Sequence, residues 1–244
     1  MRDFKEETER RVAFIREILA EAHATGIVYG NSGGKDSTLV GALCKAACAD
    51  TVGIILPCAS SRNFGSDLTD ALAAAKHFGI ETRTLDLTAV RGALKAQLET
   101  LTTMNDAALS NIAPRLRMTA LYAVAAAEGR LVAGTGNRSE IYIGYFTKWG
   151  DWACDFNPIA DLTATEVFAF LEFLGAPRSI IDKAPSAGLY EGQTDEQEMG
   201  ITYASIDGYL LHGTASPEDH AVIERYHVRS GHKRAPGVVY MPAP

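Results

Sequence analysis

The chain has 244 residues, of which 47% are hydrophobic and 22% are charged, and its formal net charge is −7. This composition is typical of a water-soluble globular protein with one large core, so we expect a single domain over residues 1–244 and no second catalytic domain. The negative charge disfavours a broad nucleic-acid surface, and no segment approaches the run of about 18 apolar residues that a membrane span needs.

Apolar strands alternate with helices in the first half of the chain. In chain order, the pattern predicts an amphipathic helix over residues 1–24, which is not a signal peptide, then the strand 26–29, the helix 35–49, the strand 51–56, the helix 67–78, the strand 80–85, the helix 111–127 and the strand 130–133. Gly79 ends the third helix, and Pro114 is tolerated in the first turn of the fourth. This alternation predicts an α/β fold with a parallel sheet and helices on both faces, whose ligands bind beyond the carboxyl ends of the strands.

The second half of the chain is predicted to hold two loops and two helices. Residues 146–159 are rich in Gly, Trp and Asp without periodicity, which indicates a structured functional loop. Thr163 and Glu166 form a capping box for a helix over residues 164–174, and Ser216 caps a helix that reaches Tyr226. Residues 185–202 are predicted to be loop.

The four cysteines, Cys44, Cys48, Cys58 and Cys154, have no spacing that nearby histidines would complete into a metal site. We therefore expect free thiols in a reducing cytosol. Cys44 and Cys48 lie one helical turn apart and are expected to pack in the core.

A glycine-rich segment follows the first predicted strand and precedes a helix: Gly30-Asn31-Ser32-Gly33-Gly34-Lys35-Asp36-Ser37. Its glycines permit backbone N–H groups to approach an anion closely, and the helix N-terminus adds partial positive charge. It is not a Walker A loop, because that motif needs Ser or Thr directly after the lysine, where Asp36 stands. A carboxylate beside polyphosphate is repulsive unless a divalent cation lies between them, so Asp36 is a candidate Mg²⁺ ligand.

The six positions from Ser32 to Ser37 resemble the Ser-Gly-Gly-x-Asp-Ser signature of the N-type ATP pyrophosphatases, which cleave ATP between the α and β phosphates. The resemblance implies ATP as a co-substrate. Taken alone, the segment has another interpretation, a glycine-rich turn in which Asp36 or Ser37 caps the helix.

Four further segments carry a narrower resemblance. They are Asn111-Ile112-Ala113-Pro114-Arg115-Leu116-Arg117-Met118, Gly134-Thr135-Gly136-Asn137-Arg138-Ser139-Glu140, Gly144-Tyr145-Phe146-Thr147-Lys148-Trp149-Gly150-Asp151 and Lys183-Ala184-Pro185-Ser186-Ala187-Gly188-Leu189. With the cluster His232-Lys233-Arg234, they resemble the ammonia-dependent NAD synthetase family over most of the chain. The resemblance implies a Rossmann-like fold of the adenine nucleotide alpha hydrolase type and a cytoplasmic homodimer. The implied reaction is adenylation of the nicotinate carboxylate of deamido-NAD by ATP, followed by displacement of AMP by ammonia.

The same resemblance implies roles for individual residues. The ATP-binding residues would be Gly30, Asn31, Ser32, Gly33, Gly34, Lys35, Asp36, Ser37, Thr135 and Ser186. Asp36 and Glu140 would bind Mg²⁺. The contacts with deamido-NAD would be Arg115, Lys148, Asp155, His232 and Lys233. Asp36, Lys148 and Asp155 are the candidate catalytic residues, and Asp155 is the candidate to remove a proton from ammonium.

Each of these side chains also has a plain structural interpretation. Glu140 could be a solvated helix charge, and Arg115 could face water beside Pro114, as could Arg117. Lys148 and His232 could be ordinary surface residues, and Asp155 could hydrogen-bond its own loop.

Three positions depart from the family pattern. Ala164 stands where relatives usually carry a lysine that contacts ATP phosphate, and Lys35 is a candidate to supply that charge from the loop. Trp152 and Ala153 stand where relatives tend to have two glycines, which predicts a differently shaped nicotinate pocket. No segment is long enough for a glutaminase domain, so free ammonia or a partner is expected to supply the nitrogen.

Two other functions are compatible with the pyrophosphatase-like loop. An RNA-modifying enzyme of the same superfamily is disfavoured by the acidic balance and by the lack of an appended RNA-binding domain. A catalytically weak, nucleotide-binding regulatory protein is suggested by Ala164. Pyrophosphate release that depends on deamido-NAD separates the synthetase from both.

Overall fold

The computed structural model of the chain describes residues 2–58, 60–183, 194–237 and 239–241. Four strands, β1 (Gly26–Gly30), β2 (Thr51–Ile55), β3 (Glu81–Thr84) and β4 (Arg130–Ala133), form a parallel sheet in the order β3-β2-β1-β4. In the centre of the sheet, Val28 of β1 is in register with Val52 of β2 and Val132 of β4. The predicted α/β fold with a parallel sheet is confirmed.

Helices connect and cover the strands. In chain order they are α1 (Phe4–Glu21), α2 (Lys35–Ala47), α3 (Ser61–Phe64), α4 (Ser66–Phe78), α5 (Thr88–Glu99), α6 (Asp106–Ser110), α7 (Ile112–Glu128), α8 (Arg138–Ile143), α9 (Ala164–Phe173), α10 (Arg178–Ile181), α11 (Asp195–Met199), α12 (Tyr203–His212), α13 (Pro217–Arg229) and α14 (Gly231–Arg234). Gly79 ends α4 in the left-handed conformation, as predicted. The capping box of Thr163 and Glu166 on α9 and the Ser216 cap of α13 are confirmed.

The side chains of β1 alternate between two hydrophobic clusters, one on each face of the sheet. Ile27 and Tyr29 are fully buried among residues of α1, α2 and α9. Val28 points the other way and packs with Met118 and Leu121 of α7. Helices therefore cover both faces, and each fully buried aliphatic side chain stabilises the fold by about 1.5–3 kcal/mol.

A third hydrophobic cluster lies beyond the sheet and joins α8, α12 and α13, with Ile143 and Ile206 at its centre. Beside it, the buried carboxylate of Asp207 accepts hydrogen bonds from the Ser139 hydroxyl and, at 2.7 Å, from the Thr165 N–H. A negative charge at the N-terminus of α9 is favourable there. The cluster thus holds α8 and α9 in fixed positions next to the sheet.

Some parts of the chain differ from the sequence predictions. The prediction of loop for residues 185–202 is wrong over α11, because a helix of five residues is too short to show periodicity. The predicted loop 146–159 pairs partly with β4, since the Gly134 N–H donates to the Phe156 carbonyl at 2.8 Å. Helices α5 and α12 were not predicted, and none of the described residues of α5 is buried.

None of the described helices combines the length and apolar composition that crossing a bilayer requires. All four cysteines are free thiols, as expected, and Cys44 lies in the core cluster under the sheet.

Candidate active site

The carboxyl ends of β1, β2 and β4 meet at one edge of the sheet because the strands are parallel. The loops that leave this edge, which begin at residues 31, 56 and 134, open into a cavity of about 1330 Å³. Ordinary small-molecule sites occupy roughly 300–1,000 Å³. The cavity is therefore large enough for two substrates at once.

The loop after β1 is held by its own asparagine and by α4. The side-chain amide of Asn31 donates to the Ala71 carbonyl at 2.9 Å, and its oxygen accepts from the Gly33 N–H at 3.3 Å. Gly33 has φ +72°, and a β-carbon there would lie 2.4 Å from the Asp67 carbonyl oxygen. Both the backbone conformation and the close approach require glycine at this position.

The loop presents hydrogen-bond donors to the cavity. The hydroxyls of Ser32 and Ser37 lie 3.0 Å apart, and both residues line the cavity. Helix α2 begins directly after Gly34, and no described side chain caps its N-terminus. The first-turn N–H groups and the helix dipole therefore favour an anion such as phosphate at this point.

Asp36 and Glu140, here called the carboxylate pair, face each other across the ammonium group of Lys35. Lys35 Nζ lies 2.5 Å from Asp36 Oδ2 and 3.8 Å from Glu140 Oε1. Burial raises the pKa of Glu140 well above its ordinary value, and the negative charge of Asp36 raises it further. Burial opposes a charge on Lys35, but the carboxylate pair outweighs burial and raises the pKa of Lys35. Lys35 therefore stays cationic.

Asn137 orients both members of the carboxylate pair. It is fully buried, and its side-chain oxygen accepts from the N–H groups of Ser139 and Glu140 as the cap of α8. Its side-chain nitrogen donates to Asp36 Oδ1 at 3.0 Å. Its backbone N–H donates to Glu140 Oε2 at 3.1 Å. One residue thus fixes an oxygen of each carboxylate.

The carboxylate pair has the donor chemistry of a Mg²⁺ site, because Mg²⁺ prefers carboxylate and phosphate oxygens. Within the described part of the chain, no group of three or more His, Cys, Asp or Glu side chains could hold a metal ion. Phosphate oxygens and water would have to complete the coordination of a metal bound to this pair.

Arg117 contributes positive charge to another wall of the cavity. Its Nε donates to the Leu56 carbonyl and its Nη2 to Asn63 Oδ1, both at 2.9 Å. Burial lowers the pKa of Arg117. Among the residues that the structure describes, no carboxylate forms an ion pair with this guanidinium, so an anionic ligand would complete its environment.

Lys233 and a pair of aromatic rings form the adjoining wall. Lys233 Nζ donates to the carbonyls of Gly144 at 2.9 Å and Phe146 at 2.8 Å. The rings of Phe146 and Trp152 stack with centroids 4.7 Å apart and an interplanar angle of 26°. This surface suits a planar aromatic ring such as a pyridine or an adenine.

Most of the residues predicted to bind ATP line the cavity, as do the second predicted metal ligand and two predicted substrate contacts. These residues are Gly30, Asn31, Ser32, Gly34, Lys35, Asp36, Ser37, Thr135, Glu140, His232 and Lys233. Gly33 packs against α4 instead. Ser186 lies outside the described residues.

Arg115 and Lys148 are not among the residues that line the cavity. The guanidinium of Arg115 donates to the Lys148 carbonyl at 3.3 Å. Lys148 Nζ donates to the His232 carbonyl at 2.6 Å and thereby joins the loop after α8 to α14. Their contacts with substrate stay predictions.

Asp155 also lies outside the cavity lining and contacts the edge of the sheet. Its Oδ2 accepts from the Val132 N–H at 2.7 Å, and its Oδ1 accepts from the Tyr122 hydroxyl at 3.1 Å. The proposed removal of a proton from ammonium by Asp155 stays a prediction.

Lys35 lies close to α9, the helix that begins at Ala164. Ala164 is buried at the start of α9. Lys35 Nζ lies 5.8 Å from the ring centroid of Phe168 on the same helix. The ammonium group predicted to replace the family lysine is therefore close to α9, although its hydrogen bond goes to Asp36.

Three residues of the site were not predicted from the sequence: Asn137, Arg117 and Asp195. An asparagine followed three residues later by glutamate is a capping pattern that would have identified Asn137. Arg117 was considered only as a water-facing side chain. Asp195 is buried, lines the cavity and accepts from the Tyr203 hydroxyl at 3.1 Å, but nothing local in the sequence separates it from neighbouring acids.

The chain is similar to known proteins over most of its length. The family model described as NAD synthase matches residues 7–235. The chain is 48% identical to the NH(3)-dependent NAD(+) synthetase of Carboxydothermus hydrogenoformans over 95% of this chain and 96% of that protein. It is 42% identical to the NH(3)-dependent NAD(+) synthetase of Alkaliphilus metalliredigens, over 93% of this chain and 94% of that protein.

Two solved structures resemble the whole chain. The NMN synthetase from Francisella tularensis has a TM-score of 0.93 and 36% identity, covering 98% of this chain and 99% of that one. The NH3-dependent NAD synthetase from Campylobacter jejuni has a TM-score of 0.82 and 29% identity, covering 99% of this chain and 100% of that one.

Proposed function

The chain belongs to the NAD synthase family, and we propose that it uses ATP to amidate the nicotinate carboxylate of deamido-NAD with ammonia, giving NAD, AMP and pyrophosphate. The observation that carries the proposal is the cavity itself. It joins an anion-binding loop to a carboxylate pair and has room for a second substrate.

The chain's residues would perform two tasks in the first step. A carboxylate is a poor acyl electrophile, so its attack on the α-phosphorus of ATP produces an acyl-adenylate with a good leaving group. The loop donors of Ser32 and Ser37 and the N-terminus of α2 would retain the departing pyrophosphate. Mg²⁺ bound to Asp36 and Glu140 would offset the charge that develops on the phosphates.

Other walls of the cavity would hold the second substrate. Arg117 and Lys233 supply positive charge for its phosphates or carboxylate, and the rings of Phe146 and Trp152 supply a stacking surface. Holding both reactants in line converts a bimolecular step into an effectively unimolecular one. Ammonia then attacks the activated carbonyl and AMP leaves, with Asp155 as the proposed proton acceptor and Lys148 and Arg115 as proposed substrate contacts.

The test is product formation from deamido-NAD, ATP, Mg²⁺ and ammonium, with NAD, AMP and pyrophosphate quantified. We expect equal amounts of the three products. Asp36→Ala should lower the rate by more than about 100-fold because it removes a proposed metal ligand. Glu172→Ala, which removes an exposed carboxylate on α9, is the matched control and should match the wild type. ATP binding without NAD formation would contradict the proposal.

A second candidate substrate is the mononucleotide, nicotinate mononucleotide. The similarity in structure to the NMN synthetase from Francisella tularensis, with a TM-score of 0.93, favours it. The activation and amidation chemistry would be the same. The enzyme is given deamido-NAD and nicotinate mononucleotide at equal concentrations, first separately and then together. The ratio of the two kcat/KM values decides between the two substrates.

We also propose that the protein is a homodimer in the cytoplasm. Val90 and Leu94 lie one turn apart on α5 and are exposed, as is Leu101 just beyond it, which supports burial of this surface by a second copy. The free thiols are consistent with a reducing compartment. Light scattering coupled to gel filtration measures the oligomeric state, and a monomer at micromolar concentration would contradict the dimer.

A further inference from the structure

Lys35 occupies the space between the two carboxylates that are proposed to bind the divalent metal. Its Nζ is 2.5 Å from Asp36 Oδ2 and 3.8 Å from Glu140 Oε1. Mg²⁺ binds carboxylate oxygens at about 2.0–2.1 Å, so a metal on Asp36 Oδ2 would lie within about 5 Å of the ammonium group. Two cations so close repel strongly where water is largely excluded. The ammonium and a metal therefore compete for one pair of ligands.

The surroundings of Lys35 hold the ammonium in place. The residue is only 6% exposed, and the rings of Tyr203 and Phe168 lie 5.4 Å and 5.8 Å from Nζ. A buried ammonium group needs charged or strongly polar acceptors. Moving Lys35 away from the carboxylate pair therefore costs free energy unless other acceptors replace the two carboxylates. Phosphate oxygens bound at the loop would provide such acceptors, because Lys35 is the first residue of α2 and lines the same cavity.

We propose that the ammonium group of Lys35 occupies the site between the two carboxylates in the nucleotide-free enzyme, so that a divalent metal enters the pair together with ATP and not before it. In the presence of ATP, Lys35 donates to a phosphate oxygen and both carboxylates become available. The inference rests on the proposed function, since it assumes that ATP and a divalent metal bind in this cavity. It adds to that function an order of binding, which is set by the side chain of Lys35.

The experiment measures Mn²⁺ binding to the nucleotide-free protein by electron paramagnetic resonance of the free ion. Lys35→Met removes the ammonium group and keeps an unbranched apolar side chain. We expect Lys35→Met to bind Mn²⁺ at least about 10-fold more tightly than the wild type, because a neighbouring positive charge is gone. Lys35→Arg keeps the charge and should bind as weakly as the wild type. With the non-hydrolysable α,β-methylene analogue of ATP present, wild type and Lys35→Met should differ by less than about threefold.

Two control variants locate the effect. Lys233→Met removes a positive charge from the same cavity, where Nζ contacts only carbonyl oxygens in the hydrogen bonds described, and it should leave Mn²⁺ affinity unchanged. The double variant Lys35→Met with Glu140→Gln should lose the gain, because it removes one of the two carboxylates. Circular dichroism verifies folding, and Lys35→Gln replaces Lys35→Met if the latter does not fold.

Tight Mn²⁺ binding by the nucleotide-free wild type, equal to that of Lys35→Met, would overturn the proposal. A gain that survives Glu140→Gln would overturn it as well, since the metal would then be bound elsewhere. The readout does not require turnover. Failure to form NAD from deamido-NAD would therefore count against the proposed function, and an unchanged Mn²⁺ affinity in Lys35→Met would count against the role of Lys35.

Discussion

The side-chain amide of Asn137 donates a hydrogen bond to Oδ1 of Asp36 at 3.0 Å and so connects the start of α8 to the start of α2. The same side chain caps α8 through its oxygen. A single residue therefore combines helix capping with the orientation of a proposed metal ligand, and substitution can separate the two effects.

Asn137→Ala should lower the free energy of unfolding by about 2–3 kcal/mol, because a lost cap costs about 1 kcal/mol and a lost buried hydrogen bond to a charged group costs more. Asn137→Ser keeps a capping hydroxyl that is too short to reach Asp36. It should recover about 1 kcal/mol of stability but none of the lost activity. Urea unfolding and NAD formation measure the two effects. Wild-type activity in Asn137→Ser would show that Asp36 does not depend on this contact.

Arg117→Met should destabilise the ligand-free protein by only about 1–2 kcal/mol, because two acceptors lose a hydrogen bond but no described carboxylate loses an ion-pair partner. Affinity for an anionic substrate should fall about 10- to 100-fold, as expected for a lost charge-assisted hydrogen bond. Isothermal calorimetry with ATP and with deamido-NAD measures the affinity and shows which substrate Arg117 contacts.

Lys183→Met is the matched control for Arg117→Met. Lys183 Nζ lies 2.9 Å from Asp67 Oδ1 and 2.7 Å from Asp70 Oδ2, and all three side chains are largely buried. Its removal takes the shared cation away from two largely buried carboxylates and should destabilise the protein by about 3 kcal/mol. Equal destabilisation in the two variants would mean that Arg117 has an unrecognised structural role.

Asp155→Asn tests the proposed proton acceptor. The asparagine oxygen can still accept from the Val132 N–H, so the edge of the sheet should be preserved. An amide cannot take a proton from ammonium at neutral pH, and turnover should fall about 100-fold or more if Asp155 is the general base. Tyr122→Phe, which removes the other contact of Asp155, should have a small effect. Undiminished turnover in Asp155→Asn would reject the role.

Asp161 provides a test of pH-dependent stability away from the site. It pairs with Arg11 at 2.7 Å and with Arg2 at 2.8 Å, and so attaches α1 to the loop before α9. Burial opposes ionisation of Asp161, but the hydrogen bonds and positive charge of Arg11 outweigh it and lower the pKa of Asp161 below its ordinary value of 3.8. A carboxyl group with a lowered pKa in the folded protein stabilises the fold above pH 3.8. This stabilisation is lost as the pH falls through the pKa that Asp161 has in the folded protein.

Asp161→Asn should therefore lower the free energy of unfolding at pH 7 by about 1–2 kcal/mol, a modest value because the side chain is half exposed and its charge is screened. The difference between wild type and variant should shrink as the pH is lowered from 5 to 3. Urea unfolding at several pH values measures it. A difference that stays constant over this range would contradict a contribution from the ionised carboxylate.

Local sequence patterns were sufficient to predict the four strands, six of the longer helices and the loop that begins at Gly30, but not α5 or α12. The spacing of apolar residues and the position of a glycine are local features of the sequence. They determine the backbone conformation of the nearest turns. The end of α4 at Gly79 and the cap of α9 at Thr163 were predictable for the same reason. The resemblance of motifs extended this to distant residues that line the same cavity, such as Thr135, Glu140 and His232.

The partners of the charged side chains were decided by the tertiary structure. Asp36 and Asn137 are 101 positions apart, and they meet because β1 and β4 are adjacent parallel strands whose loops leave the same edge. Lys35 was expected at a phosphate, yet its ammonium group lies between the adjacent Asp36 and Glu140 of α8. Backbone conformation depends on near neighbours and is readable from the sequence, whereas the charge around a buried side chain depends on every element packed against it, and only the folded chain brings those elements together.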